Sequence, residues 1–146
     1  MANVFDVAAY ILEKEGEMTT MKLQKLCYYA QAWSLAWEGR PLFDEDFQAW
    51  ANGPVCRELY NKHAGYFEIK DMHFFDGEKS SSGLTKKEKD IIKDVLETYG
   101  DKTARWLSDL THMERPWKEA RGDLAKGARG TTVISKDVMQ DYYAGL

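Results

Sequence analysis

Cysteine is almost missing: the 146 residues hold two, Cys27 and Cys56. Two thiols are too few for a disulfide scaffold or a metal knuckle. Cys27 falls on the apolar face of a helical pattern and reads as a small buried hydrophobe. No HExxH or CxxC pair occurs, nor a GxSxG elbow. Zinc hydrolysis and serine acyl transfer therefore lack their residues. Gly127-Ala128-Arg129-Gly130 is rich in glycine but has neither the lysine nor the preceding strand of a phosphate loop. Long apolar runs are absent as well, and none approaches the roughly eighteen residues of a membrane span. Met1-Ala2-Asn3-Val4-Phe5-Asp6 opens straight into a helical pattern, without the basic start and apolar core of a signal peptide. The expectation is a cytoplasmic protein with reduced thiols and no metal or cofactor. A strong charge of one sign is also lacking, since 20 basic against 24 acidic residues give −4. That argues against general nucleic-acid binding, which needs a basic footprint, and is compatible with covering a basic surface on another protein.

What is present is apolar and aromatic. Hydrophobic residues make up 44% and aromatics 13%, enough for a firm core, and the 30% charged keep the outside wet. One domain over residues 1–146 is expected, large enough to fold without staples. The densest stretch is Met21 to Tyr60. Leu23, Leu26, Cys27, Ala30, Trp33 or Ser34, and Trp37 recur at spacings of three and four, so one helix face is apolar. Tyr28, Tyr29 and Trp33 widen that face, as in a helix buried on most sides. Thr19 or Thr20 can cap its start. Gly39 followed by Pro41 closes it, giving a helix over about Thr20 to Glu38. An acidic loop, Asp44-Glu45-Asp46, leads into Phe47-Gln48-Ala49-Trp50-Ala51, whose alternation points to a short extended piece. Asn52-Gly53-Pro54 then marks a turn before a short helix from Val55 to Tyr60.

Elsewhere Val4, Val7, Ala8, Ile11 and Leu12 outline a first helix that Gly16 ends. Lys62 to Gly83 loses periodicity; Gly65, Gly77, Gly83 and Ser80-Ser81-Ser82 make it a loop, with Phe67, Ile69, Phe74 and Phe75 as its anchors. Thr85-Lys86-Lys87-Glu88 has capping-box spacing and opens a helix with Ile91, Ile92, Val95, Leu96 and Tyr99 inward, up to Gly100. A shorter helix spans about Thr103 to Leu110. Pro116, Gly122, Gly127 and Gly130 break the next region into turns, and Ser135 caps a last helix carrying Val138, Met139 and Tyr142. The sum is a mainly α, compact single-domain bundle of about six helices. At most a small two-stranded β element joins it, pairing Phe47–Trp50 with Thr131–Ile134.

His112 and Glu114 come nearest to a catalytic or metal pair. They lack a third ligand, and a spacing of two splays their side chains on a helix. The expected role is structural: both hydrogen-bond a turn that Pro116 and Trp117 lock. His63 and His73, in or near the long loop, read as surface residues. Between Arg115 and Arg129, Lys118, Arg121 and Lys126 add to a local basic excess over Glu119 and Asp123. A solvated turn is the plain account; phosphates or an acidic partner are the alternative. Most of the large aromatics must be core. Tyr29, Trp33 and Tyr60 are the candidates for interface anchors, with Asp44, Glu45 and Asp46 as a polar rim.

Several segments together carry a resemblance. They are Met21-Lys22-Leu23-Gln24-Lys25-Leu26 with Tyr28-Tyr29-Ala30-Gln31-Ala32, Phe47-Gln48-Ala49-Trp50, and Gly53-Pro54-Val55. Leu110-Thr111-His112-Met113-Glu114 with Pro116-Trp117, and an Ile134-Ser135 helix start, complete the set. They resemble the SocA-like, or Panacea, antitoxin domain family, also met as phage-associated proteins, over about residues 3 to 144. The resemblance implies a non-enzymatic antitoxin that binds a cognate protein toxin directly. A member that hands its toxin to a Clp-type protease supplies the alternative, a proteolytic adaptor. It marks Leu23, Gln24, Lys25, Leu26, Tyr29, Ala30, Trp50, Gly53, Pro54, Val55, His112, Glu114, Pro116 and Trp117 as structural signature positions. No membrane or nucleic-acid partner is expected, and a homo-oligomer is compatible with the sequence.

Overall fold

The longest helix, α2 (Thr20–Glu38), is the axis of the fold, because its residues are buried almost all the way round. The Thr19 hydroxyl accepts the Lys22 amide at 3.1 Å and starts it. Gly39, left-handed at φ 72°, ends it. A computed structural model describes residues 2–71 and 83–146. The expectations for His73, Phe74, Phe75, Gly77 and the serine run lie outside those residues.

Among the described residues there are seven helices. Around α2 pack α1 (Val4–Glu15), α4 (Lys86–Tyr99), α5 (Ala104–Met113) and α7 (Lys136–Ala144), while α3 (Arg57–His63) and α6 (Arg115–Arg121) are short. Capping boxes at Asn3–Asp6 and Thr85–Glu88 start α1 and α4. The described residues also form two small antiparallel sheets. Strand β1 (Met18–Thr19) pairs with β4 (Glu68–Ile69), and β2 (Phe47–Trp50) pairs with β3 (Gly53–Cys56). The second hairpin runs from Phe47 opposite Cys56 to Trp50 opposite Gly53. One hydrophobic core, including Ile11, Leu23, Leu26, Phe43, Phe47, Leu59, Ile92 and Leu107, joins both sides of α2.

Four readings from the sequence change. Gly53, Pro54 and Val55 are strand rather than turn and helix, and the helix begins at Arg57. The principal partner of β2 is therefore β3. The 131–134 segment still reaches β2 from the other side, through a Gln48–Val133 bridge and the bonds Ala49 N to Thr132 O and Ile134 N to Phe47 O, both 2.8 Å. The region after Met113 contains α6, which raises the helix count from about six to seven. Its Pro116 sits in the first turn, where a missing N–H costs nothing. Part of the loop after Lys62 is strand β4, with Ile69 buried, whereas the Phe67 ring stands 76% exposed. Phe67 contributes its backbone, whose carbonyl accepts the Thr20 amide at 2.9 Å.

Candidate functional site

Two glutamines seven residues apart share one face of α2 and do the work of missing strands. The Gln24 amide oxygen accepts Cys56 N–H at 2.8 Å, and its nitrogen donates to Cys56 C=O at 3.2 Å. Gln31 repeats this on Leu42 N at 2.7 Å and Phe43 O at 2.8 Å. Each satisfies a buried backbone edge that would otherwise lack partners. The Gln24 nitrogen also lies 3.0 Å from His63 Nε2. An amide nitrogen can only donate, so Nε2 accepts and the proton sits on Nδ1. His63 is thus buried, not a surface residue, and burial lowers its pKa.

Lys25 follows Gln24 into the interior, where Nζ donates to Pro54 O at 3.2 Å. Burial brings the amine down to about 7. Its stem crosses Gly53, which explains that glycine twice over. Gly53 has φ +113°, and an added Cβ would meet Lys25 Cε at 2.7 Å and Thr111 Oγ1 at 3.0 Å.

The β2–β3 turn is held from the other side by α5 and α6. Four consecutive carbonyls are taken. Ala49 O accepts from Arg121 Nη1 at 3.2 Å and Trp50 O from Trp117 Nε1 at 2.8 Å. Ala51 O lies 2.9 Å from His112 Nε2, and Asn52 O accepts from Ser108 Oγ. Ser108 with His112, and Trp117 with Arg121, are each four apart, so each helix presents one pair on one face. His112 Nδ1 faces Ser108 O, and its ring stands edge-on to Trp117 at 4.0 Å. His112 does hold a turn, but a distant one: the hairpin rather than the chain around Pro116. Glu114 points elsewhere. Its Oε1 accepts from both Tyr29 and Tyr143 hydroxyls at 2.7 Å, and Tyr28 reaches Tyr143 at 3.1 Å. Burial raises the Glu114 pKa, and the two tyrosine bonds oppose that rise.

Beside this clamped turn lies a two-lobed groove. Met21, Ala51, Asn52 and Gly127 border both lobes. The larger, about 710 Å³, has Lys25 and His112 in its lining, with Arg105, Asp109, Met113 and Lys126 around them. The smaller, about 400 Å³, is lined by Trp50, Tyr60, Arg57, Arg129 and Thr131. Tyr60 meets Trp50 edge-on at 4.8 Å, and the Arg57 guanidinium lies 5.1 Å from the centre of the Trp50 ring. Among the described residues no carboxylate reaches ion-pair distance of Arg57, Lys126 or Arg129, and Arg105 holds Asp109 loosely at 3.9 Å.

The residues expected at an interface do not gather in one place. Tyr29 is fully buried, stacked on Tyr99 at 4.3 Å, so no partner can reach it. Trp33 is half-buried and donates to the Tyr99 hydroxyl at 3.0 Å; Trp37, 5.1 Å away, is the open ring of that pair at 48% exposure. Tyr60 lines the smaller lobe. In the acidic loop, Glu45 accepts the Val4 amide at 3.1 Å and Asp46 pairs with Lys136 at 2.6 Å, leaving Asp44 exposed. Most of that loop tethers α1 and α7. The basic excess after Arg115 divides too. Arg115 pairs with Glu119 and Asp141 at 3.0 and 2.9 Å and Arg121 is buried, whereas Lys126 and Arg129 reach the groove. The sequence reading missed Arg57, Arg105 and Ser108; only the four-residue spacings on α5 and α6 signalled the clamp.

These features define a small mainly α domain whose polar interior is structural. The described residues contain no group of three or more His, Cys, Asp or Glu that could hold a metal, and no helix long and apolar enough to cross a membrane. Both cysteines are free and buried; burial raises their pKa values, that of Cys56 to about 12. The chain belongs to the family described as antitoxin SocA-like, Panacea domain, whose model matches residues 23–118. That stretch begins within α2, takes in the hairpin and α5 and ends within α6, so it is shorter than the expected 3 to 144 and leaves out α1 and α7. No curated protein and no solved structure matches the chain. Membership gives an antitoxin-type role, and with it a protein partner.

Proposed function

We propose that this protein is a cytoplasmic antitoxin that neutralises a cognate protein toxin by direct contact, with no bond made or broken on it. The family match over residues 23–118 carries the reading. Its polar interior supports it, because Gln24, Gln31 and Glu114 are all engaged in holding the fold. A stable complex buries about 800 Å² on each partner, roughly a tenth of the 7524 Å² surface here.

Co-expression with the toxic product of the neighbouring reading frame tests the proposal. Growth should recover, and the two chains should co-purify in a fixed ratio. Undiminished toxicity with no complex in the purified mixture refutes it. Toxin abundance separates blocking from delivery. Direct neutralisation leaves the level the same with and without a Clp-type protease, whereas protease-dependent loss would replace it with the adaptor role.

A further inference from the structure

We infer that the two-lobed groove beside the β2–β3 turn receives an acidic segment of the toxin, its carboxylates against Arg57, Lys126 and Arg129 and an apolar side chain against Trp50 and Tyr60. The inference rests on the antitoxin reading above and adds the surface and the partner's chemistry.

Charge is the first argument. The chain carries −4 overall, yet among the described residues the groove lining holds Arg57, Arg105, Lys126 and Arg129 beside Lys25 and has Asp109 as its one carboxylate. Elsewhere Lys86, Lys87, Lys102, Arg115 and Lys136 have carboxylate partners within 4.0 Å, while Lys89, Lys93 and Lys118 have none among the described residues; the groove differs in gathering its unpaired cations on one surface. In the groove Arg57 is half-buried without one among the described residues, partly stripped of water, and lies over the Trp50 face. A carboxylate from outside would complete it through a charge-assisted bond. Residue type is the second argument. Trp, Tyr and Arg are the side chains that most often anchor protein interfaces, and Trp50, Tyr60 and Arg57 meet here. Rigidity is the third, since the turn between the lobes has four carbonyls fixed by Ser108, His112, Trp117 and Arg121. A preformed wall loses little conformational freedom on binding. Met113, 68% exposed at the larger lobe, adds an adaptable apolar contact.

A nucleic acid fits these features less well. The lobes are two half-open hollows of about 710 and 400 Å³, suited to side chains, not a strip tracking a backbone. Outside them the acidic chain repels polyphosphate, which wants a broad basic footprint.

The test uses the full-length protein and the toxin encoded beside it, with affinity measured across a range of salt concentrations. The Arg57→Glu/Arg129→Glu double variant and Lys126→Glu should each weaken binding at least about tenfold and flatten its salt dependence. Lys93→Glu, the same charge change as Lys126→Glu but on the exposed side of α4, should bind like the parent. If the double reversal lowers the melting temperature, Arg57→Gln/Arg129→Gln should show the same loss in smaller measure on an intact fold. Lysine substitutions in the toxin's acidic segment should restore part of the affinity of the double variant. Reversal variants that bind like the parent overturn the groove assignment and leave the antitoxin reading standing. A parent chain that neither binds nor protects removes both. Salt-dependent binding of poly(U) to the parent but not to the double variant also overturns it, in favour of an RNA site.

Discussion

Two regions of this molecule set edge-on aromatic rings beside a charged side chain and end in opposite states. In the seam between α2 and α7, Tyr28, Tyr29 and Tyr143 pack edge-on with centroids 5.3 to 6.2 Å apart. Their hydroxyls converge directly or in relay on one buried carboxylate, Glu114. In the groove, Trp50 and Tyr60 pack edge-on at 4.8 Å with a cation over the tryptophan. The seam contains its own counter-groups; in the groove Arg57, Lys126 and Arg129 have none among the described residues, and Arg105 holds Asp109 only loosely at 3.9 Å. Aromatic clusters with titratable neighbours are thus uninformative until the polar atoms are accounted for. Completed inside the chain they make structure; left incomplete at the surface, they are where the proposed toxin contact falls.

The largest effect should come from breaking the seam. Glu114→Ala removes the shared acceptor of two buried hydroxyls, each worth about 1–3 kcal/mol when orphaned, so urea unfolding should show a loss of about 3–5 kcal/mol. Glu114→Gln keeps an acceptor and should recover much of it. A loss below about 1 kcal/mol for the alanine would mean that water replaces the carboxylate, and the contrast with the groove would collapse. Gly53→Ala comes next, at about 2–3 kcal/mol, because φ +113° and the Lys25 stem both resist a methyl group. Combining it with Lys25→Ala should cost less than the sum of the two, since one clash is then gone.

What the sequence disclosed follows from how local each cause is. The ends of α2 were legible because Thr19 and Gly39 act within a few residues, and the capping box at Thr85 was legible for the same reason. Strand β3 was not, because Gly53-Pro54 is turn chemistry in isolation. It becomes strand through α2, whose Gln24 pairs with the Cys56 backbone. Helix α6 was hidden by reading Pro116 as a breaker when it stands in a first turn. Trp117 and His112 were each legible as structural positions, but their acceptors lie 67 and 61 residues away, beyond any local pattern. Tyr29 looked like an anchor since nothing in its neighbourhood announces Glu114. The groove cations come from four separate stretches of chain, of which the 115–129 excess revealed only Lys126 and Arg129.

Lys25 offers a smaller and more specific test. Its pKa is about 7 when folded against 10.5 when free, so between those values the unfolded chain binds more protons and stability must rise with pH. The buried cysteines work the other way: their raised pKa values mean that the folded chain keeps protons the unfolded one loses, which lowers stability from about pH 9 upward. The clean window is therefore from about 7 to 8.5, where the gain should be about 1–2 kcal/mol. Lys25→Met should abolish that gain while shifting the baseline. A slope that survives the substitution would assign it to another group.

The smallest expected change in stability sharpens the comparison most. Arg57→Ala and Arg129→Ala remove cations with no carboxylate partner among the described residues, so Arg129→Ala should move unfolding by no more than about 0.5 kcal/mol and Arg57→Ala by little more. Arg57 also lies over Trp50, and an exposed cation–π contact is worth about 0.5–1 kcal/mol, which sets the upper edge for that variant. If either substitution costs about 2 kcal/mol or more, the side chain is serving the fold, as Glu114 does, and the groove becomes a second seam. If both are near neutral while toxin binding falls, stability and recognition occupy different residues of one domain. The division then follows the line between polar groups that find partners within the chain and those that do not.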